Sequence, residues 1–256
     1  MDWTTYLDHA RADAARLSDV ALLGLEADVP CCPGWTVHDL VQHLGTVYID
    51  KSLIVEEGWT ERQSRSITPP QDDLIEWFDE SAAHLLEVLT AHEPSEPVWT
   101  WFEADQTVGF WYRRMAHESL IHRIDAEQAH GLASEIDDEL AADGVDEILT
   151  VMMSGAPSWA TLELGRRVAR LEIPGRSWTV RLGSFSGTSP TTETTYTNEP
   201  TLELVGSDAE FQTVVAGTAA ALDQWLWGRV SLGYLTIQGD RSLAAKVRAI
   251  AKEATQ

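Results

Sequence analysis

The hydrophobic period of this chain changes once, and that change restricts the architectures open to it. Over roughly the first 150 residues, apolar positions recur at steps of three and four, the mark of helices with one buried face. From Trp3 to Leu25 the recurring positions are Leu7, Ala10, Ala14, Leu17, Val20 and Ala21. The run PCCPGW then interrupts the chain, because Pro30, Pro33 and Gly34 all disfavour a continuing helix. Thr36 follows as an N-cap, with Asp39 three residues on in a variant of the capping box. Val37, Leu40, Val41, Leu44 and Val47 form the inward face of a second helix. A third runs from about Asp72 to Leu89, with Leu74, Ile75, Phe78, Ala82, Leu85 and Leu89 inward. The fourth spans Thr107 to His130 and stops at Gly131. Four such stripes predict a four-helix bundle, with long second and third connections that leave the topology open.

After a further helical segment from Asp137 to Met153, the period drops to two. VARLEIP, SWTVRLG and TLELV alternate apolar with polar residues and read as strands. Phe211 to Trp227 returns to helical spacing, LTIQGD is a short strand, and Arg241 to Ala254 closes as a helix. The expectation is a two-domain α+β protein, with a helical bundle at residues 1–153 and a smaller α+β domain at 158–256. The boundary falls at SGAPS, and the Ser/Thr-rich SFSGTSPTTETTYTN is read as a polar hairpin loop.

Charge removes several classes of function. Against 18 Lys+Arg stand 41 Asp+Glu, a formal charge of -23, and such a surface repels phosphate backbones and anionic lipid. Nucleic acid and membrane are therefore not expected partners. The N-terminus lacks a basic start and an apolar signal core, so a cytoplasmic location is expected. Cys31 and Cys32 are neighbours, which cannot staple a fold and form a disulfide only under strain, so both are read as reduced thiols in a loop, with a redox or metal role as the alternative. Oligomeric state is not readable.

In helix four, Trp111, Met115, Glu118, His122, Asp125 and Ala129 follow steps of three and four and share one face. A carboxylate and an imidazole on a buried face must be paired. Either Glu118 and His122 pair with each other or with an arginine, or both point at a divalent metal, which requires ionised carboxylate and neutral imidazole. Helix two offers a third donor, because His43 lies with Leu40 and Val47 on a stripe bordering the core. A core histidine held by hydrogen bonds is the competing reading. Asp125, three residues after His122, is placed either to accept the free ring N–H of a bound histidine or to meet an N–H or arginine partner elsewhere. His117 points about 100° away around the helix and is read as packing or substrate-proximal.

VPCCPGWTVHDLVQHLG and RRMAHESLIHRIDAE together resemble the mycothiol-dependent maleylpyruvate isomerase family, within the DinB-like superfamily of metal-binding four-helix bundles. The resemblance implies that His43, Glu118 and His122 are metal ligands. It also implies a sterol-carrier-like C-terminal domain, to which WLWGR and LTIQGD are similar. Two imidazoles and one carboxylate suit Zn2+, with nickel, cobalt or iron also compatible. The resemblance further implies mycothiol as thiol cosubstrate, acting in a transferase or a cis–trans isomerase, with Arg229 of WLWGR binding a substrate carboxylate. Arg229 as the cap of its own helix is the alternative. Helix three carries no arginine, which counts against a dicarboxylate and favours a less charged electrophile. A metal hydrolase and a non-catalytic small-molecule-binding protein remain the competing readings.

Overall fold

The computed structural model describes residues 1–254. It divides into two compact units, Met1–Glu135 and Ile136–Gln256. The segment 137–153, grouped with the bundle on the sequence, falls in the second unit.

The first unit is the expected four-helix bundle. Its helices are α1 (Trp3–Ala21), α2 (Val37–Glu56), α3 (Leu74–Ala91) and α4 (Val108–Ala129). α1 packs against α4 and α3, and α2 against α3 and α4. The predicted capping box opens α2. The Thr36 backbone N–H donates to Asp39 Oδ2 at 2.8 Å, and the Asp39 N–H returns to Thr36 Oγ1 at 3.4 Å. This pins the start of α2 less than two turns before His43. One residue beyond Leu44, the backbone of Gly45 lies against the Trp77 indole of α3, so close that a β-carbon there would enter the ring's van der Waals shell. Between α2 and α4, Tyr48 and Ser119 share a buried hydroxyl hydrogen bond of 2.7 Å.

α4 departs from the one-sided stripe read on the sequence, because it is buried nearly all round. Its polar residues must therefore find partners on every side. On the α1 side, Arg123 donates from Nε to Asp13 at 2.9 Å and from Nη1 to Glu127 at 3.0 Å and Ser134 at 2.6 Å. Arg16 donates to the other Glu127 oxygen at 2.8 Å. Burial pushes the Asp13 carboxyl up despite the facing Arg123. At Glu127 burial also opposes ionisation, yet Arg16, Ser134 and Arg123 together hold the group below its usual value.

The second unit contains α5 (Asp138–Glu147), a π-helical turn (Ile148–Met152), α6 (Ala219–Trp227), α7 (Arg241–Ala254) and a five-stranded sheet. The strands are β1 (Thr161–Ile173), β2 (Arg176–Thr188), β3 (Thr195–Leu204), β4 (Thr213–Ala216) and β5 (Thr236–Gly239), in the order β3-β2-β1-β4-β5. Pairing is antiparallel except between β1 and β4, which run parallel. Ala169, Leu171, Val180, Leu202 and Val215 are fully buried, and cross-strand register places them on one sheet face. α7 supplies Leu243, Ala244, Val247 and Ala251, all fully buried at helical spacing, and packs on β1, β3 and β4.

Two sequence expectations change here. The helical reading of Phe211–Trp227 holds only from Ala219. The preceding Thr213–Ala216 is a strand, because its run of β-branched residues suits a ladder and Gly217 separates it from the helix. SFSGTSPTTETTYTN is mostly strand as well. β2 continues through Thr188 and β3 begins at Thr195, where the two threonine hydroxyls meet across the ladder at 3.1 Å.

Truncating Arg123 to alanine leaves Asp13 buried without its guanidinium and Glu127 with Arg16 alone, and is expected to cost about 3 kcal/mol or more. Thr36→Ala removes one cap bond and is expected to cost about 1 kcal/mol. Urea unfolding followed by circular dichroism checks both, and equal small effects would contradict the ranking.

Candidate metal centre

The three donors named on the sequence come together. Glu118 Oε1 lies 3.5 Å from His43 Nε2 and 3.3 Å from His122 Nε2. The two imidazole rings stand nearly perpendicular, with centroids 5.1 Å apart. Among the described residues, these three form a cluster whose ligand-type atoms all lie within 4.8 Å of one another. An ion about 2.1 Å from each donor at tetrahedral angles needs those donors roughly 3.4 Å apart. The two measured separations match that edge length.

Local structure explains the convergence. Glu118 and His122 are one turn apart on α4, so their side chains overlie each other. The capping box and the Tyr48–Ser119 bond set α2 beside them and bring His43 opposite. Two of the remaining polar atoms, Glu118 Oε2 and His122 Nδ1, are taken by partners outside the cluster. Arg114 donates to Glu118 Oε2 at 2.7 Å, and His122 Nδ1–H donates to Asp125 Oδ2 at 3.1 Å. The Asp125 contact directs the His122 Nε2 lone pair inward, and the Arg114 contact leaves Glu118 one free oxygen, as a monodentate ligand requires. The Trp35 ring packs at 5.0 Å against His43. Side-chain exposure falls from 38% at His43 to 17% at Glu118 and 10% at His122, so the cluster is reached from the His43 side.

Electrostatics agree with this geometry. Burial disfavours the Glu118 charge, but Arg114 and the two imidazoles outweigh it and hold the carboxyl well below its usual value. Burial likewise opposes charge on His122, yet its bonds to Asp125 and Glu118 carry the ring up to about 9. Below that pH the ring is an imidazolium paired with Glu118, and a cation binding at Nε2 must displace its proton.

Other residues fall into place. Asp125 is fully buried and accepts from His122 Nδ1, the first of the two partners read for it on the sequence. His117 is buried edge-on against Tyr6 of α1, a packing position away from the cluster. Arg229 donates to the Trp227 carbonyl at 2.6 Å, just after Gly228 ends α6 in the left-handed conformation (φ 81°). Three residues were not connected with the cluster on the sequence: Arg114, Trp35, and Cys32, whose thiol meets Asp125 Oδ2. Arg114 was detectable, lying four residues before Glu118. Trp35 and Cys32 were not, because they reach the cluster from a loop, where periodicity carries no information.

The fold and the cluster define a class: a four-helix bundle with a His/Glu/His site of metal-ligand type, followed by an α+β unit. Residues 7–127 match the model of the mycothiol maleylpyruvate isomerase N-terminal domain, and residues 139–246 match the MDMPI C-terminal domain model. The chain belongs to the mycothiol maleylpyruvate isomerase family, a family named for an enzyme activity. Crystal structures of mycothiol-dependent maleylpyruvate isomerase share its fold, at a TM-score of 0.60 and 16% identity over 94% of this chain and 95% of the other. A histidine-to-alanine mutant of that enzyme matches with the same TM-score and coverage at 15% identity. No curated protein sequence matches the chain.

If the cluster takes a cation, affinity must rise with pH while His122 is protonated. The expected slope is about tenfold per pH unit below pH 9, flattening above it. Competition titrations with Co2+ between pH 6.5 and 9.5 measure this. Asp125→Asn, which removes a partner that holds the proton, should move the flattening to lower pH. A pH-independent affinity would rule out displacement of the His122 proton.

Proposed function

We propose that the chain is a metal-dependent enzyme that activates a low-molecular-weight thiol, mycothiol, for attack on an electrophile. It works as a maleylpyruvate-type cis–trans isomerase or as a thiol transferase. The observation that carries this reading is the single Glu118 oxygen set between two imidazole nitrogens, with Arg114 and Asp125 occupying the outer atoms. His43, Glu118 and His122 would hold a divalent ion of the zinc type there, which would supply the charge that stabilises a thiolate.

The chain's own residues prepare that chemistry. Asp125 keeps His122 in one tautomer, and Arg114 turns Glu118 so that one oxygen faces the histidines. The half-exposed His43 edge leaves an approach for thiol and substrate, and Trp35 supplies an apolar wall beside it. Addition of thiolate to a cis double bond makes the central bond single. Rotation and loss of the thiolate then give the trans isomer. If elimination does not follow, protonation of the adduct gives a stable conjugate, the transferase outcome. In this reading Arg229 binds a substrate carboxylate through its guanidinium, in addition to the Trp227 carbonyl it already holds.

Calorimetric titration of mycothiol into zinc-loaded protein is expected to show binding that disappears in His43→Ala and His122→Ala, together with the ion. Zinc-loaded protein that binds no thiol would defeat this function. With a carboxylate-bearing electrophile, Arg229→Ala should raise KM by about tenfold or more. Its zinc content should be unchanged, as metal analysis would show.

A further inference from the structure

The loop that carries Cys31 and Cys32 touches both imidazoles of the cluster through intermediaries. Backbone hydrogen bonds close it tightly: Val29 N–H to the Trp35 carbonyl at 2.9 Å, Cys32 N–H to Val29 at 3.1 Å, and Trp35 N–H to Cys32 at 3.0 Å. At its end, Trp35 packs against His43. At its middle, the Cys32 thiol donates to Asp125 Oδ2 at 3.8 Å, the oxygen that also accepts from His122 Nδ1. The Cys31 thiol donates to Gln128 Oε1 at 3.0 Å, one turn further along α4. Both sulfurs are reduced thiols and only half-buried.

We propose that Cys31 and Cys32 form a thiol–disulfide exchange site for the disulfide of a small thiol, and that its oxidation loosens the neighbouring His43/Glu118/His122 centre. The coupling rests on the reading of that cluster as a metal site. In the first step one cysteine sulfur attacks a sulfur of the small disulfide. A protein–small-thiol disulfide forms, the original S–S bond breaks, and the cysteine's proton leaves with the released thiol. The second cysteine then attacks the mixed disulfide, releases the second small thiol and closes a Cys31–Cys32 disulfide. Two protein thiols are oxidised and one small disulfide is reduced to two thiols. Adjacent α-carbons are only about 3.8 Å apart, short of the span a relaxed disulfide takes, so the closed pair is strained and readily reduced again.

A mixed disulfide at Cys32, or the closed Cys31–Cys32 pair, removes the S–H that Cys32 offers to Asp125. The mixed disulfide also inserts bulk between the loop and α4. Because the loop is closed on itself, displacement at Cys32 is carried to Trp35 and from there to His43. Both imidazoles thereby lose part of what orients them, as a small disulfide reports an oxidising environment.

Full-length protein treated with oxidised glutathione tests this, with adducts mapped by mass spectrometry and Co2+ affinity measured before and after. The expected result is a reversible adduct or internal disulfide at Cys31 and Cys32, with Co2+ affinity lowered about tenfold and restored by reduction. The double variant Cys31→Ser/Cys32→Ser should take no adduct and show one Co2+ affinity with or without the disulfide. No modification at either cysteine, or modification with unchanged Co2+ affinity, overturns the proposal. Modification is read by mass, so reduced protein that binds no Co2+ would instead defeat the metal reading on which the coupling rests.

Discussion

A carboxylate held mostly away from water must have both oxygens satisfied, and the way Glu118 meets that demand organises the bundle around it. One oxygen takes the Arg114 guanidinium, and the other is left to two imidazoles from different helices. Were Arg114 absent, the free oxygen would compete for the histidines. Were either histidine absent, the remaining charge would be poorly screened in a largely buried place. The cluster is thus a set of mutually dependent choices rather than three independent donors.

The same logic runs the length of α4. A helix buried on nearly every side normally excludes charge, yet this one carries arginines, histidines and carboxylates from Arg113 to Glu127. Toward α1, Arg123 gathers Asp13 and Glu127 into an ionic network. Toward α2, Glu118 gathers His43 and His122. The first network resembles a cross-brace between helices, since its cation and carboxylates neutralise one another. The second carries two groups able to give up a proton or accept a cation. Similar residue types on one helix thereby serve different ends, decided by which neighbour each side faces.

Much of this was legible in the residues. Four periodic stripes announced four helices, and the Thr36 cap appeared where Thr36 and Asp39 stand three apart. His43, Glu118 and His122 were readable because each is a polar residue on or beside an apolar stripe, a contradiction that burial must resolve. What escaped is instructive. TVVA was absorbed into a helix because four residues are too few for a period to declare itself, and its strand character depends on pairing with β1, distant in sequence. The threonine-rich hairpin looked like a loop because its polarity is ordinary for strands whose side chains face water. Trp35 and Cys32 reach the cluster through the closure of one loop, and nothing along the chain encodes that path.

The contact between Gly45 and Trp77 bears on the site from outside it. Because the indole of α3 presses directly on the backbone of α2, this face of the helix has a flat stop against which it cannot roll. A turn of one residue about its axis would swing His43 through about 100° and away from Glu118. The azimuth of a candidate ligand is therefore dictated by a residue without a side chain and by an aromatic ring outside the cluster. Drift at either position would detune the centre while leaving all three donors in the chain.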